Sequence, residues 1–273
     1  MNDKKIDDVN NIGEVLEGGR SGKIVKMNKD VRRPASEWTE TVHKVLRLIR
    51  GNGFKKVPEP KALDGSGFET VSFIEGEVSN YPLSENARSE NALITAAKLL
   101  REFHDASRKV LSALDDECCW MLPARKPIEV LCHGDYAPYN VVLNENEAIG
   151  IIDFDTLHPG PVIWDVCYAI YRWAPIKNPN NPDSIGDINE QITRAKIFCD
   201  AYGLDYESRK MIPSMMVDRL TALVNFMLDQ AGEGDEDFES NLSEGHHIAY
   251  LNDIEYIKQH EEQIISGIVG GSL

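Results

Sequence analysis

The stretch that decides the reading runs from Leu131 to Asp155: LCHGDYAPYNVVLNENEAIGIIDFD. Three side chains stand out in it, Asp135, Asn140 and Asp153. Asp135 and Asn140 are five apart in a segment broken by Pro138, which predicts a loop. VVL and GIID are short apolar runs on either side of Asn144-Glu145-Asn146, which predicts a hairpin. A hairpin folds its ends together, so Asp153 is expected to return beside Asn140. A carboxamide and a carboxylate side by side are hard oxygen ligands suited to Mg²⁺. Asp135, a second carboxylate nearby, is placed to accept a proton from an attacking hydroxyl. Phosphoryl transfer needs such parts: metal on the phosphate oxygens and a group that orients and deprotonates the nucleophile. The plainer alternative is a hairpin with loop-capping carboxylates.

Working outward, the segments on the two sides differ in character. Before residue 76 the chain reads as strands around one helix. GEVLEGG and KIVKMNKDVRR are strand segments, with MNKD as a turn. From Ser36 to Arg50, Trp38, Val42, Val45, Leu46 and Ile49 recur at helical spacing, and Gly51-Asn52-Gly53 stops the helix. KALDGSGFETVSFI reads as a hairpin turning at Asp64-Gly65-Ser66-Gly67. Beyond Glu75-Gly76-Glu77 and Tyr81-Pro82, a plausible linker, helices dominate. Ser84 caps a predicted helix running to about Val110. Further helices are expected over roughly 162–174, 188–202, 206–230 and 245–266. Residues 177–187 and 232–240 read as loops, the second of them acidic. The expected organisation is therefore α+β: a small β-rich lobe over 1–76 and a larger, mainly helical lobe over 77–273.

Composition narrows the partners. The chain has 273 residues, 42% hydrophobic and 27% charged, which is ordinary for a globular protein. Its net charge is −16, unevenly spread. Residues 1–78 hold 14 basic and 13 acidic residues, whereas 79–273 hold 15 and 32, a net of −17. That pattern argues against nucleic acid and against anionic lipid, both of which need a basic face. It is compatible with a cationic small molecule, but the plainer reading is solubility. The N-terminal MNDKKIDDVN has no apolar core of a signal peptide, and no stretch approaches a membrane span. Five cysteines without a CxxC pair suggest neither disulfides nor zinc. A cytoplasmic protein, a monomer or weak dimer, is the expectation.

His133-Gly134-Asp135, Asn140 and Ile152-Asp153-Phe154-Asp155 resemble the signature of the aminoglycoside phosphotransferase and choline kinase family. These are small-molecule kinases with a protein-kinase-like, two-lobed fold. The resemblance implies ATP or GTP as co-substrate, Mg²⁺ as cofactor, and a small-molecule acceptor, aminoglycoside-like or otherwise cationic or polar. It implies Asp135 as catalytic base and Asn140 and Asp153 as the metal ligands. Asp155 would touch metal, water or substrate. Leu99-Leu100-Arg101-Glu102-Phe103-His104 is similar to the helix preceding the catalytic loop. Asp165 in Trp164-Asp165-Val166 would brace that loop, and His133 would orient it or, alternatively, transfer a proton. Phe73-Ile74-Glu75-Gly76 resembles the lobe-connecting hinge, where the backbone of Phe73 to Glu75 would meet an adenine-like ring over Ile152.

The N-terminal lobe departs from that pattern. Kinases carry a phosphate-binding lysine on the third strand; here the strand reads Asp30-Val31-Arg32-Arg33-Pro34. Arg32 is the expected phosphate contact, Arg33 turning the other way by strand alternation. The partner acid on the following helix is expected to be Glu40, with Glu37 or His43 as alternatives. Gly18, Gly19 and Gly22 form either a phosphate-covering loop or a plain turn. VRRP followed by Trp38 resembles a branch known as trifolitoxin-immunity-like. If the arginine does not position phosphate, a pseudokinase-like nucleotide-binding or immunity protein is the alternative. A metal-dependent phosphohydrolase is a further one. Asp235, Glu236, Asp237, His246, His247 and Tyr250 complete the candidates for acceptor contact.

Overall fold

The computed structural model describes residues 13–16 and 24–270. Gly18, Gly19 and Gly22 lie outside those residues. A five-stranded antiparallel sheet forms first, from β1 (Glu14–Val15), β2 (Val25–Met27), β3 (Asp30–Pro34), β4 (Pro60–Asp64) and β5 (Phe68–Ser72), ordered β1-β2-β3-β5-β4. Helix α1 (Thr39–Gly51) crosses between β3 and β4 and buries Val42, Val45, Leu46 and Ile49, the apolar stripe of its sequence. Gly53, at φ +100°, turns the chain after it. This sheet followed by a mainly helical body is the α+β, kinase-like layout expected from the sequence.

The register between β3 and β5 decides which side chains face inward. Arg33 pairs with Glu69, and Val31 with Val71. Paired residues on antiparallel strands share a face, so Arg33 lies with Val31, Glu69 and Val71 on one side. Arg32 lies on the other side, where its guanidinium meets Asp64 (3.1 Å) and stacks over Phe68 at 3.7 Å. Strand alternation separates the two arginines as anticipated, but in the opposite phase: Arg33 faces the body of the protein and Arg32 faces away.

After β5 the chain runs along the hairpin β7 (Val141–Asn144) and β8 (Glu147–Ile151). Glu77 and Leu143 exchange two backbone hydrogen bonds of 2.9 and 2.7 Å. Gly76 must be glycine there, because its φ is +143° and a Cβ would sit 2.5 Å from the Leu143 carbonyl oxygen. Two helices, α2 (Glu85–Arg88) and α3 (Glu90–Arg108), replace the single predicted one. Ser84 and Ser89 each accept a hydrogen bond as an N-cap, so the second serine starts a new helix. α3 then buries Leu93, Ala96, Ala97, Leu100 and Phe103 against the hairpin and later helices.

A short strand pair, β6 (Val130–Cys132) with β9 (His158–Gly160), brackets the loop and hairpin of the 131–155 stretch. α4 (Val162–Trp173) and α5 (Ile188–Tyr202) follow near their predicted bounds. The expected 206–230 helix divides into α6 (Tyr206–Lys210) and α7 (Ile212–Gly232). The expected 245–266 helix divides into α9 (His246–Gln259) and α10 (Glu261–Val269). Between them the acidic segment forms helix α8 (Glu236–Ser243), because Asp235 accepts from the N–H groups of Asp237 and Phe238 as its cap. Three acidic residues in its first turn favour the positive end of the helix. No helix among the described residues is long and apolar enough to cross a membrane.

Candidate active site

The 131–155 stretch folds back on itself as its sequence predicts. Val141 pairs with Ile151, and the Ile152 N–H donates to the Asn140 carbonyl at 2.9 Å, so the two ends of the hairpin touch. Asp153 follows at φ +59°, a left-handed conformation that costs a non-glycine residue energy and is found where surroundings enforce it. Phe154 is the anchor: it is buried against His133 and Phe103, with ring centroids 4.9 and 5.7 Å apart.

The loop itself is built by hydrogen bonds to Asp165. Its Oδ2 accepts from the His133 N–H (2.7 Å) and from His104 Nε2 (3.0 Å), and its Oδ1 from the Gly134 N–H (2.9 Å). Burial pushes the Asp165 carboxyl up, but His104 and these backbone donors outweigh it and hold it down at about 2. His104 in turn bonds Tyr202 at 2.6 Å. Both ring nitrogens of His133 are occupied: Nδ1 faces the Asp135 N–H and Nε2 bonds the Ile152 carbonyl. That leaves His133 no free nitrogen for proton transfer and ties the loop to the strand carrying Asp153. Gly134, at φ +84°, passes so close to Thr156 that a Cβ would lie 2.5 Å from its carbonyl oxygen.

Asp135 accepts the Tyr139 hydroxyl at 2.8 Å on Oδ1 and the Asn140 amide at 3.0 Å on Oδ2. Both donors orient the carboxylate. The Asn140 amide nitrogen is spent on Asp135, so its Oδ1 is the atom left for a cation. Asp153 has an exposed carboxylate whose one partner among the described residues is Arg33. Among the described residues no cluster of three His, Cys, Asp or Glu forms a metal cage. An amide oxygen and one carboxylate suit a hard cation that keeps water and phosphate as its other ligands, which is the habit of Mg²⁺.

Arg33 is the centre of the opposite wall. Its Nε donates to Glu69 (2.7 Å), Nη1 to Asp153 (2.8 Å) and Nη2 to Asp155 (2.9 Å). Glu69 is buried and takes a second bond, 2.6 Å long, from His43 on α1. Burial drives the Glu69 carboxyl up, yet His43 and Arg33 together hold it below its ordinary value. Asp155 is raised, by burial first and by its neighbour Asp153, with Arg33 opposing. So the acid that pairs with the strand arginine is Glu69 on β5. Glu37 and Glu40 are exposed, and His43 reaches the arginine through Glu69. In F-E-T-V-S the sequence offers only that Glu69 alternates in step with the apolar Val71; its burial and partners come from the fold.

Two cavities meet at this loop. One, about 490 Å³, is lined by Arg33, Glu69, Asn140, Asp153 and apolar residues that include Val31, Val71, Phe73, Val142 and Ile152. Arg32 is not among its lining residues. Among the described residues the Ile74 and Glu75 backbone N–H groups have no hydrogen-bond partner, whereas the Phe73 N–H donates to the Lys29 carbonyl. The Glu75 side chain points to solvent, 77% exposed, and pairs with Lys26. The second cavity, about 510 Å³, is lined by Asp135, Tyr139, Trp164, Tyr168, Arg219 and Tyr250 among others. His246 lines it too, while Asp155, Asp235, Glu236, Asp237 and His247 line neither cavity. Tyr139 lines both, so the loop is the wall between them.

An antiparallel sheet followed by a mainly helical body, with one loop between two cavities, is a kinase-like layout. The phosphotransferase enzyme family profile matches residues 108–211, the segment that carries the loop, the hairpin and α4. Trifolitoxin immunity protein of Rhizobium leguminosarum bv. trifolii is 28% identical over 240 residues, 84% of this chain and 87% of its own. An ethanolamine kinase of Plasmodium vivax shares the fold with a TM-score of 0.60 at 13% identity, over 92% of this chain and 83% of its own. A choline/ethanolamine kinase family protein of Mesorhizobium loti gives 0.59 at 14% identity, over 91% and 89%. The resemblance read from HGD, Asn140 and DFD is borne out, and with it the class, a small-molecule kinase.

Proposed function

We propose that the protein transfers the γ-phosphoryl group of ATP or GTP to a hydroxyl of a small molecule. The observation that carries this reading is the division of labour along one loop. Asn140 and Asp153 face the first cavity, Asp135 faces the second, and Tyr139 stands between them. The nucleotide base would lie between Val31, Val71, Val142 and Ile152, within reach of the Ile74 and Glu75 N–H groups, which have no partner among the described residues. Arg33 would hold the phosphates with its planar fork, in place of a lysine. Asn140 Oδ1 and the Asp153 carboxylate would hold Mg²⁺, which when bound neutralises charge on the phosphate oxygens. Asp135 would accept the acceptor's hydroxyl proton on one of the oxygens that Tyr139 and Asn140 orient. Asp165, through the His133 and Gly134 N–H groups, keeps the loop in place without touching substrate.

The match to an immunity protein supports a second reading, in which the chain binds nucleotide and ligand without turnover. One experiment separates the two. The protein is melted with and without Mg-ATP and Mg-GTP, and ADP or GDP release is followed against amino alcohols, hydroxy acids, sugars and aminoglycosides. Nucleotide-dependent stabilisation, with acceptor-dependent turnover that Asp135→Asn abolishes, supports the kinase. Stabilisation without turnover, indifferent to Asp135→Asn, supports the binding protein.

A further inference from the structure

The second cavity gathers two arginines on one wall, although the chain as a whole is acidic. Arg125 lies 3.8 Å over the Trp164 ring, and Arg219 lies 5.5 Å from that ring and 4.4 Å from the ring of Tyr168. Two guanidinium groups thus converge on one indole at the cavity wall. Arg219 is 6% exposed; it donates Nη2 to the Gly134 carbonyl, and its buried Nε has no partner. Arg125 makes no side-chain hydrogen bond, and neither arginine forms an ion pair among the described residues. This is a chain with 45 acidic residues, in which Arg33 alone collects three carboxylates. Burial and then the facing Arg219 push Arg125 below its ordinary value, with Asp218 opposing. Two like charges held together without a counter-ion are costly unless something else supplies the negative charge.

The geometry points to an acceptor that carries a carboxylate, seated between Arg125 and Arg219 against Trp164, with its hydroxyl presented to Asp135. This rests on the kinase reading of the same site. The planar forks of two arginines match a carboxylate's two oxygens. Trp164, Tyr168 and Phe226 offer aromatic walls to the body of the molecule. Arg219 bonds the carbonyl of Gly134, the residue before Asp135, so the anion site and the base belong to one loop. The carboxylates on the cavity are Asp135 itself and the exposed Asp229. A polycationic acceptor would meet both arginines. The negative charge of residues 79–273 is therefore a property of the outer surface, and the cavity is a local exception to it.

A matched trio of ligands tests this: 4-(hydroxymethyl)benzoate, its methyl ester, and 4-(hydroxymethyl)benzylamine. All share one ring and one primary alcohol and differ in charge at the far end. Isothermal titration of the whole protein loaded with Mg-ADP should show the carboxylate binding about tenfold or more tightly than the other two. Arg125→Gln should erase most of that preference, and Arg125→Lys, which keeps charge without the fork, should restore part of it. Circular dichroism and the melting temperature establish that the variants fold; the comparison on the unaltered chain stands without them. Amine binding equal to or better than carboxylate binding overturns the inference, as does undetectable binding of all three, or a preference that survives in a folded Arg125→Gln. Carboxylate selectivity in a protein that does not bind Mg-ADP would keep this inference and remove the kinase reading instead. Mg-ADP binding with a preference for the amine would do the reverse.

Discussion

In the proposed nucleotide site Arg33 would do work that in kinases falls to a lysine, while it also holds three carboxylates. An ammonium would have to serve them all from one nitrogen, whereas the guanidinium reaches Glu69, Asp153 and Asp155 from three nitrogens in one plane and keeps two further N–H groups. Arg33→Met should weaken Mg-ATP binding about tenfold to a hundredfold, the scale of one or two charge-assisted hydrogen bonds. Arg33→Lys should fall between the two. Arg32→Met should change affinity by less than about twofold, since Arg32 faces Asp64 and Phe68. Titration of Mg-ATP into the three variants checks the order, and an Arg32 effect as large as the Arg33 effect would contradict it. At Asp135, the Asn variant should lose about 10²–10⁴ in kcat while Mg-ATP still binds, because the lost group moves a proton and does not hold phosphate. Comparison of turnover with nucleotide affinity in that variant separates these effects.

At the scale of elements, the loop from His133 to Asn140 is held by its neighbours more than by its own propensity. Gly134→Ala would place a Cβ against the Thr156 carbonyl in a left-handed conformation. We expect it to cost about 2–3 kcal/mol or more in unfolding free energy, measured by denaturant titration. Asp165 braces the same loop, and its effect is pH-dependent. Its folded carboxyl titrates near 2, below the unfolded value of 3.8, so its stabilisation is complete above that value and is lost as pH falls through about 2. The shift corresponds to roughly 2 kcal/mol. The stability gap between wild type and Asp165→Asn should therefore be widest above about pH 4 and narrow towards pH 2. A gap that widened on acidification would contradict this assignment.

These elements also show what a sequence discloses. The turn of Asp153 beside Asn140 was legible, because a short hairpin is a local device whose ends must meet. The phase of β3 was legible only in part. Val31 shares a face with Arg33, and that apolar residue marks the buried side, but the partner strand that enforces it lies more than 30 residues away. Glu69 was missed for the same reason: its role exists only through the β3–β5 register and His43 on α1. Helix α8 was hidden by its acidic composition, although Asp235 is an ordinary cap. The pairing of Arg125 and Arg219 around Trp164 joins three distant segments, and no local pattern announces it.

For the whole molecule, charge is divided into an acidic exterior and two cavities with a basic group at each. The net of −16 governs solubility and long-range steering. Under the proposed reading, Arg33 and the Arg125–Arg219 pair would govern what is held at short range, where burial strengthens each contact. Nucleotide bound between the sheet and the hairpin would tie the two parts of the chain together. At 100 times its dissociation constant, Mg-ATP should add about 2.7 kcal/mol to stability. For a chain of this size that is a rise in melting temperature of several degrees. A melting temperature indifferent to saturating Mg-ATP would exclude a nucleotide site in that cleft.

The proposed function requires one cleft in which Arg33, Asn140 and Asp153 would act together on a metal-bound nucleotide. Isothermal titration with ATP, in excess Mg²⁺ and again in EDTA, tests it on wild type and on Asp153→Asn. The account predicts that EDTA and the substitution each weaken binding about tenfold or more, and that removing Mg²⁺ adds little once Asp153 is gone. Equal affinity in all four titrations would contradict it.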